Sequence, residues 1–382
     1  MRLFTCESCQ GVLFFENTHC TTCQRRLGYC AEAIRLVTLP DAPAGAEAGA
    51  EPGPAAAVEV ALGAGKRERF VPCKNYTEHD TCNWLVRASD EQPYCLSCRL
   101  TEIIPDLSDP KNRQAWAEVE SAKRRLLYTL RALRLPALTK LEDAQAGLSF
   151  RFLRGSEEAP VTTGHADGLI TLNVAEADAA YRENMREKLG EAYRTVLGHL
   201  RHEIGHYYWD RLVKDAAPLE AYRKLFGDEQ ASYEEAINRH YGEGPPEDWA
   251  QSFISAYATM HPWEDWAETW AHYLHMVDTL ETAKAHGLTV RVPGTVEGSA
   301  RVSTDELTLA DFDALMAGWQ AVTLALNSLS RSMGMKDVYP FVVSQPVRDK
   351  LRFVHDVIIQ ASKKQPSLTR EAVKATLLGA TN

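Results

Sequence analysis

The chain has 382 residues, 45% hydrophobic and 25% charged, a length and balance that suit two or three folded domains and exclude a disordered or fibrous protein. Its formal net charge of −10 at pH 7 gives no general attraction to nucleic acid or anionic lipid, and no apolar run is long enough to span a bilayer. The opening MRLFTCESCQ lacks the basic-then-apolar pattern of a secretory signal, so a cytoplasmic location is expected.

All nine cysteines fall within the first hundred residues. In a reducing compartment disulfides do not persist, and such clustering is what metal sites produce. Cys6 with Cys9 and Cys20 with Cys23 form two CxxC knuckles, the pattern of a tetrahedral four-cysteine zinc site on two β-hairpins. The stretch at about 40–65, rich in Ala, Gly, Pro and Glu, cannot bury much apolar surface and is expected to be a flexible insertion. Cys73, Cys82, Cys95 and Cys98 then make a second four-cysteine site, with His79 as an alternative ligand and Cys30 left over as a buried thiol. Sites closed by four thiolates have no open position, so both zincs are expected to stabilise folding only. Residues 1–100 carry 10 Lys and Arg against 12 Asp and Glu, which argues against nucleic acid. It leaves packing or a protein partner as the use of Phe14, Phe15 and Trp84.

Helical patterns dominate beyond that point. Asp109–Pro110 predicts a capped helix start, and the run LYTLRALRL within that helix reads as a core-facing stripe. Two strands are expected at 148–154 and 168–174, then a helical region over 178–213 broken near its middle. The loop GEGPP at 242–246 precedes a helical pair at 247–283, and 288–304 reads as irregular or weakly β. Thr308 caps a helix at 309–333 that Gly334 ends, with VTLALNSLS as a second core stripe; Pro346 opens another helix to about 362, and Ser367 or Thr369 a last short one.

The segment LGHLRHEIGHYYWDRL carries the chemistry. His202 and His206 are four residues apart, so they share one face of a helix and can share a metal. Glu203 follows the first histidine and is placed to act as general base toward a metal-activated water. His199 reads as a surface or supporting residue. A catalytic zinc needs a third protein ligand, and HPWEDWAETWAHYLH (261–275) is the best source. Glu264, Glu268 and His272 recur at four-residue intervals there, and two carboxylates so close repel unless a cation lies beside them. Glu264 is the favoured third ligand, with Glu268 hydrogen-bonding a ligating histidine. The reverse assignment stays open.

HEIGH with a distant E-x-x-A-E helix (Glu264–Glu268) resembles the gluzincin metallopeptidases, in several of which the first Glu of such a pair binds zinc. From Cys6 to about Ala361 the chain is similar to a zinc-binding metallopeptidase family that carries an N-terminal zinc ribbon. The resemblance implies hydrolysis of peptide or protein substrates with one catalytic and two structural Zn2+, and no particular sequence preference. In lethal factor, one of the gluzincins, an active-site tyrosine precedes the third ligand by seven residues, and Tyr257 stands at that offset. Tyr257 is therefore a candidate for steadying the oxyanion, with His261, Tyr207 and His272 as rivals. The expected architecture is α+β: a β-rich ribbon region at 1–104, a mostly α zincin-like domain with a small sheet at 105–300, and a helical region at 301–382 packed on it. The competing readings are a ribbon-based scaffold with an inactive peptidase-like domain, and a peptidase brought by its ribbon to nucleic-acid-bound proteins.

Overall fold

The computed structural model describes residues 2–40, 57–63, 65–156, 158–295, 298–305 and 307–364, with 292–295 and 298–301 described by backbone alone. Most of the insertion expected at 40–65, and the short helix expected after Ser367, lie outside the described residues.

The N-terminal region is a stack of small antiparallel pairs. β1 (Phe4–Thr5) pairs with β2 (Val12–Leu13), and β3 (Leu27–Cys30) with β4 (Arg35–Thr38). β5 (Val58–Ala61), β6 (Arg67–Pro72) and β7 (Leu85–Arg87) form a three-stranded sheet, accompanied by the one-turn helices α1 (Lys74–Thr77) and α2 (Leu96–Arg99). β5 corrects the expected insertion: its Val–Glu–Val alternation turns Val60 into the core and Glu59 outward, a strand period that the surrounding Ala and Gly disguise.

β8 (Thr101–Ile103) leads into α3 (Pro110–Ala132), whose start is the expected one: Asp109 accepts from the Lys111 N–H and Pro110 occupies the first turn. β9 (Ser149–Leu153), β10 (Gly164–Ala166) and β11 (Leu169–Asn173) complete a four-stranded sheet in the order β10-β11-β9-β8. Only β10 runs antiparallel to its neighbour. The helical region then breaks where expected, into α4 (Ala179–Lys188) and α5 (Val196–Leu212), with Gly190 at φ 65° between them. α6 (Leu219–Phe226) and α7 (Tyr233–Glu243) follow. The pair expected at 247–283 is one long helix, α8 (Pro262–Ala285), preceded by two single 3-10 turns. A hairpin of β12 (Thr289–Thr295) and β13 (Gly298–Ser303), then α9 (Phe312–Ser332) and α10 (Gln345–Lys364), complete the described chain. Asp311, three residues beyond Thr308, caps α9. Among the described residues no helix is long and apolar enough to cross a membrane.

One core runs from the ribbon strands into the helices. Phe15 meets Tyr29, Trp84 and Tyr128 edge to face, so Phe15 and Trp84 are packing residues, whereas Phe14 is exposed. At the same seam Lys123, Glu120 and Thr101 form an enclosed cluster, with Lys123 Nζ 2.9 Å from Glu120 Oε2. The α3 stripe is buried as expected at Leu127, Tyr128 and Leu130. The α9 stripe is only partly buried: Val322 is enclosed and Leu326 packs against the core, but Leu324 and Leu329 are exposed.

α5 and α8 lie against each other through the smallest side chains available. A Cβ on Gly205 would meet the Ala267 Cα at 3.0 Å. Trp266 Nε1 donates to the Gly205 carbonyl at 2.8 Å, tying the two helices at that spot.

Candidate metal centre

Among the described residues, three groups of side chains bring metal-ligating atoms within 4.8 Å of one another: Cys6, Cys9, Cys20 and Cys23; Cys73, Cys82, Cys95 and Cys98; and His202, His206 and Glu264. In the first two, Cys9 and Cys20 sulfurs are 3.5 Å apart, Cys6 and Cys23 3.8 Å, and Cys82 and Cys95 3.7 Å. A tetrahedral zinc with sulfurs at about 2.3 Å requires edges of about 3.8 Å, so the donors fit it. The Trp84 N–H reaches Cys82 Sγ and the Cys95 N–H reaches Cys73 Sγ, each at 3.3 Å, which offsets thiolate charge. His79 instead packs against the Trp116 ring, 5.5 Å away, and the second group holds four cysteines without it. Cys30 stands apart, its Sγ 3.8 Å from Glu32 Oε2, and burial pushes its pKa up to about 12.

The third group lies between α5 and α8. One turn of α5 puts His202 Nε2 and His206 Nε2 3.2 Å apart, and the first turn of α8 brings Glu264 Oε2 to 2.9 Å from His202 Nε2 and Oε1 to 3.4 Å from His206 Nε2. Those separations are close to the edge of about 3.3 Å that a tetrahedral ion with donors at about 2 Å requires, the distance of zinc to imidazole and carboxylate. His202 Nδ1 lies 2.7 Å from Glu268 Oε1, while Ser255 Oγ donates to Glu268 Oε2 at 2.6 Å. A proton on Nδ1, shared with Glu268, leaves the Nε2 lone pair facing the other donors. Burial favours neutral forms here, yet His202 holds Glu268 down to about 2, and Glu264 too is held well below the carboxylate range by His206 and His202. In turn, although burial disfavours its charged form, Glu264 and Glu268 raise the His202 pKa well above the ordinary imidazole value, so the pocket favours positive charge at its centre.

Residues 112–357 match the family model described as "Putative zinc-binding metallo-peptidase", and residues 3–109 match that of a zinc-ribbon domain. The chain belongs to this zinc-binding metallopeptidase family. Uncharacterized proteins of Mycobacterium bovis and Mycobacterium tuberculosis are each 39% identical to it over 375 residues, covering 98% of this chain and 100% of their own length. No solved structure matches the chain.

Around the His-His-Glu group the chain arranges several residues that sequence reasoning named and several that it missed. Glu203 is buried, and desolvation raises its pKa above the usual carboxyl value, opposed by the neighbouring His202 and His206. The Tyr257 ring centroid is 5.8 Å from that of His202. His261 has both nitrogens engaged: Nδ1 accepts from the Trp263 N–H and Nε2 donates to the Ala231 carbonyl, each at 3.0 Å. It is the N-cap of α8, with no donor left for an oxyanion, which corrects its expected role. His272 has turned away to the Tyr339 hydroxyl, 2.8 Å from its Nδ1, and Tyr207 is buried against Arg211. His199 reaches Glu176 at 3.4 Å.

The residues missed come from loops and short elements. Tyr233 donates to Glu264 Oε1 at 3.0 Å, and Ser255 holds Glu268. The Trp263 ring lies 3.8 Å from that of His206, and His165 at the β10 edge lies 6.3 Å from it. Beside the group opens a cavity of about 350 Å³ whose lining includes His165, Asp167, Trp209, Asp210, Tyr233 and Trp263.

Proposed function

We propose that this chain hydrolyses peptide bonds in peptide or protein substrates, with zinc held by His202, His206 and Glu264. The observation that carries the reading is the convergence of those three donors, with Glu203 buried beside them. Bound zinc supplies a Lewis acid for the scissile carbonyl and lowers the pKa of its water. Glu203 takes the proton from the attacking water and passes it to the leaving amine; the upward shift of its pKa by burial brings it nearer the working pH for both transfers. Glu268 and Ser255 fix the His202 tautomer. Tyr257 steadies the oxyanion: burial keeps its hydroxyl protonated well above neutral pH, so it can donate. Tyr233, similarly protonated, orients Glu264. The two cysteine groups hold structural zinc, and thiols spent on metal fit a cytoplasmic location.

Elemental mass spectrometry combined with a mixed-peptide digest tests this. The expected outcome is three zincs per chain, two in Glu264→Ala, and cleavage that Glu203→Gln slows about 10²- to 10⁴-fold without zinc loss. Two zincs in the wild type, or no cleavage by protein carrying three, overturns it in favour of a scaffold.

A further inference from the structure

The cavity beside the His-His-Glu group has a chemistry of its own. On α5, Trp209 and Asp210 follow His206 by three and four residues and continue its face of the helix, and Lys214 lies just past the helix end. Across from them stands the end of β10, where Asp167 (φ 50°) and Gly168 (φ 79°) form the tight turn into β11. Trp263 and Tyr233 close the side next to the metal ligands.

The charge balance of this lining is uneven. Glu229 is neutralised by Arg223, which reaches both its oxygens at 2.6 and 3.0 Å. Asp210 has only Lys214, 3.5 Å away with both side chains partly exposed, a pair worth little against solvent. The Asp167 carboxylate makes no ion pair among the described residues; the Lys140 ammonium donates to its backbone carbonyl at 2.5 Å and not to its side chain. What remains is a slot with aromatic walls and two under-neutralised carboxylates at its rim.

Resting on the peptidase reading above, we propose that this cavity takes the lysine or arginine side chain of a substrate residue flanking the cleaved bond. The stem packs on Trp263 and Tyr233, whose ring faces also attract the cation, and the charged head meets Asp167 and Asp210. A volume of about 350 Å³ accommodates either side chain. An acidic side chain would meet two carboxylates of its own sign, and a leucine would leave both unanswered.

The test is binding, so that it does not depend on turnover. Zinc-loaded Glu203→Gln protein is titrated with fluorescein-labelled alanine pentapeptides carrying Arg, Lys, Leu or Glu at the centre, read by fluorescence anisotropy. The Arg and Lys peptides are expected to bind about tenfold more tightly than the Leu peptide, and the Glu peptide most weakly. Adding Asp167→Asn and Asp210→Asn should bring Arg and Leu within about twofold of each other, mostly through weaker Arg binding. Asp167→Asn alone, on an exposed turn, should give part of that loss if the double variant fails to fold. Equal affinities, tighter Leu binding, or no binding of any peptide overturns the proposal. Cleavage of the Leu peptide by wild-type protein would then leave the peptidase reading standing. Conversely, a basic preference in binding with no cleavage of any peptide would sink the peptidase reading and keep the cation pocket.

Discussion

In the N-terminal region four sulfurs close on one another at 3.5–3.8 Å, and backbone N–H groups, not side chains, complete their surroundings. Between α5 and α8 only three donors converge, and each is held from behind by another side chain: Glu268 behind His202, Tyr233 behind Glu264, the Trp263 ring against His206. Four sulfurs would saturate an ion and leave nothing to react. Three donors would leave a tetrahedral shell one short, and the chain spends further residues on aiming them. The difference lies in how many protein atoms the ion receives and what stands behind them.

Three experiments can break or sharpen that contrast. Removing a donor from a closed site should have the largest effect, since metal binding there is folding energy. Cys95→Ser should lose one zinc and destabilise the N-terminal region by on the order of 10 kcal/mol, read by elemental analysis and by tryptic cutting within 65–105. Retention of all zinc would erase the distinction. Removing a supporting residue of the open site should be milder. Glu268→Ala is expected to weaken one zinc about 10- to 100-fold in chelator competition and leave the other two untouched, whereas loss from a cysteine site would contradict the separation.

Acid supplies the smallest effect and separates loss of metal from loss of fold. Glu176 is buried, which raises its pKa, but His199 and Arg194 outweigh burial and hold it at about 2. A carboxyl depressed in the folded state contributes stability above its ordinary pKa of 4.5 and loses it as pH falls toward 2. Glu176→Gln should therefore cost on the order of 2 kcal/mol at pH 7 in urea unfolding, with the gap closing between pH 4.5 and 2. A gap that stays constant across that window would mean the pair with Arg194 carries no net stability.

The sequence made legible whatever is set by short spacing. The CxxC knuckles, HEIGH, and the Glu264–Glu268 offset all lie within a turn or two of chain, where local geometry decides which atoms meet. Helix starts such as Asp109–Pro110 were readable for the same reason. His272 shows where that logic fails. Each four-residue step overshoots a full turn by about 40°, so two steps from Glu264 carry it about 80° round α8 and toward Tyr339. His261 was misread because a capping histidine and a catalytic one look alike until both nitrogens have partners. Tyr233 and Ser255 had no readable signal: they arrive 31 and 13 residues before the groups they hold, from a helix start and a loop whose placement depends on the packed core.

Gly205 has no donor atom and touches no substrate, yet it sets a tolerance for the whole centre. With the Ala267 Cα only 3.0 Å from where a Cβ would stand, the distance from one ligand-bearing helix to the other is fixed by bare backbone. His202 and His206 project from one side of that gap and Glu264 from the other, so its width sets how far apart the three donors stand. A side chain at position 205 would push the helices apart and spread all three donors together. The fit of the zinc proposed above thus depends partly on a residue that would never meet it.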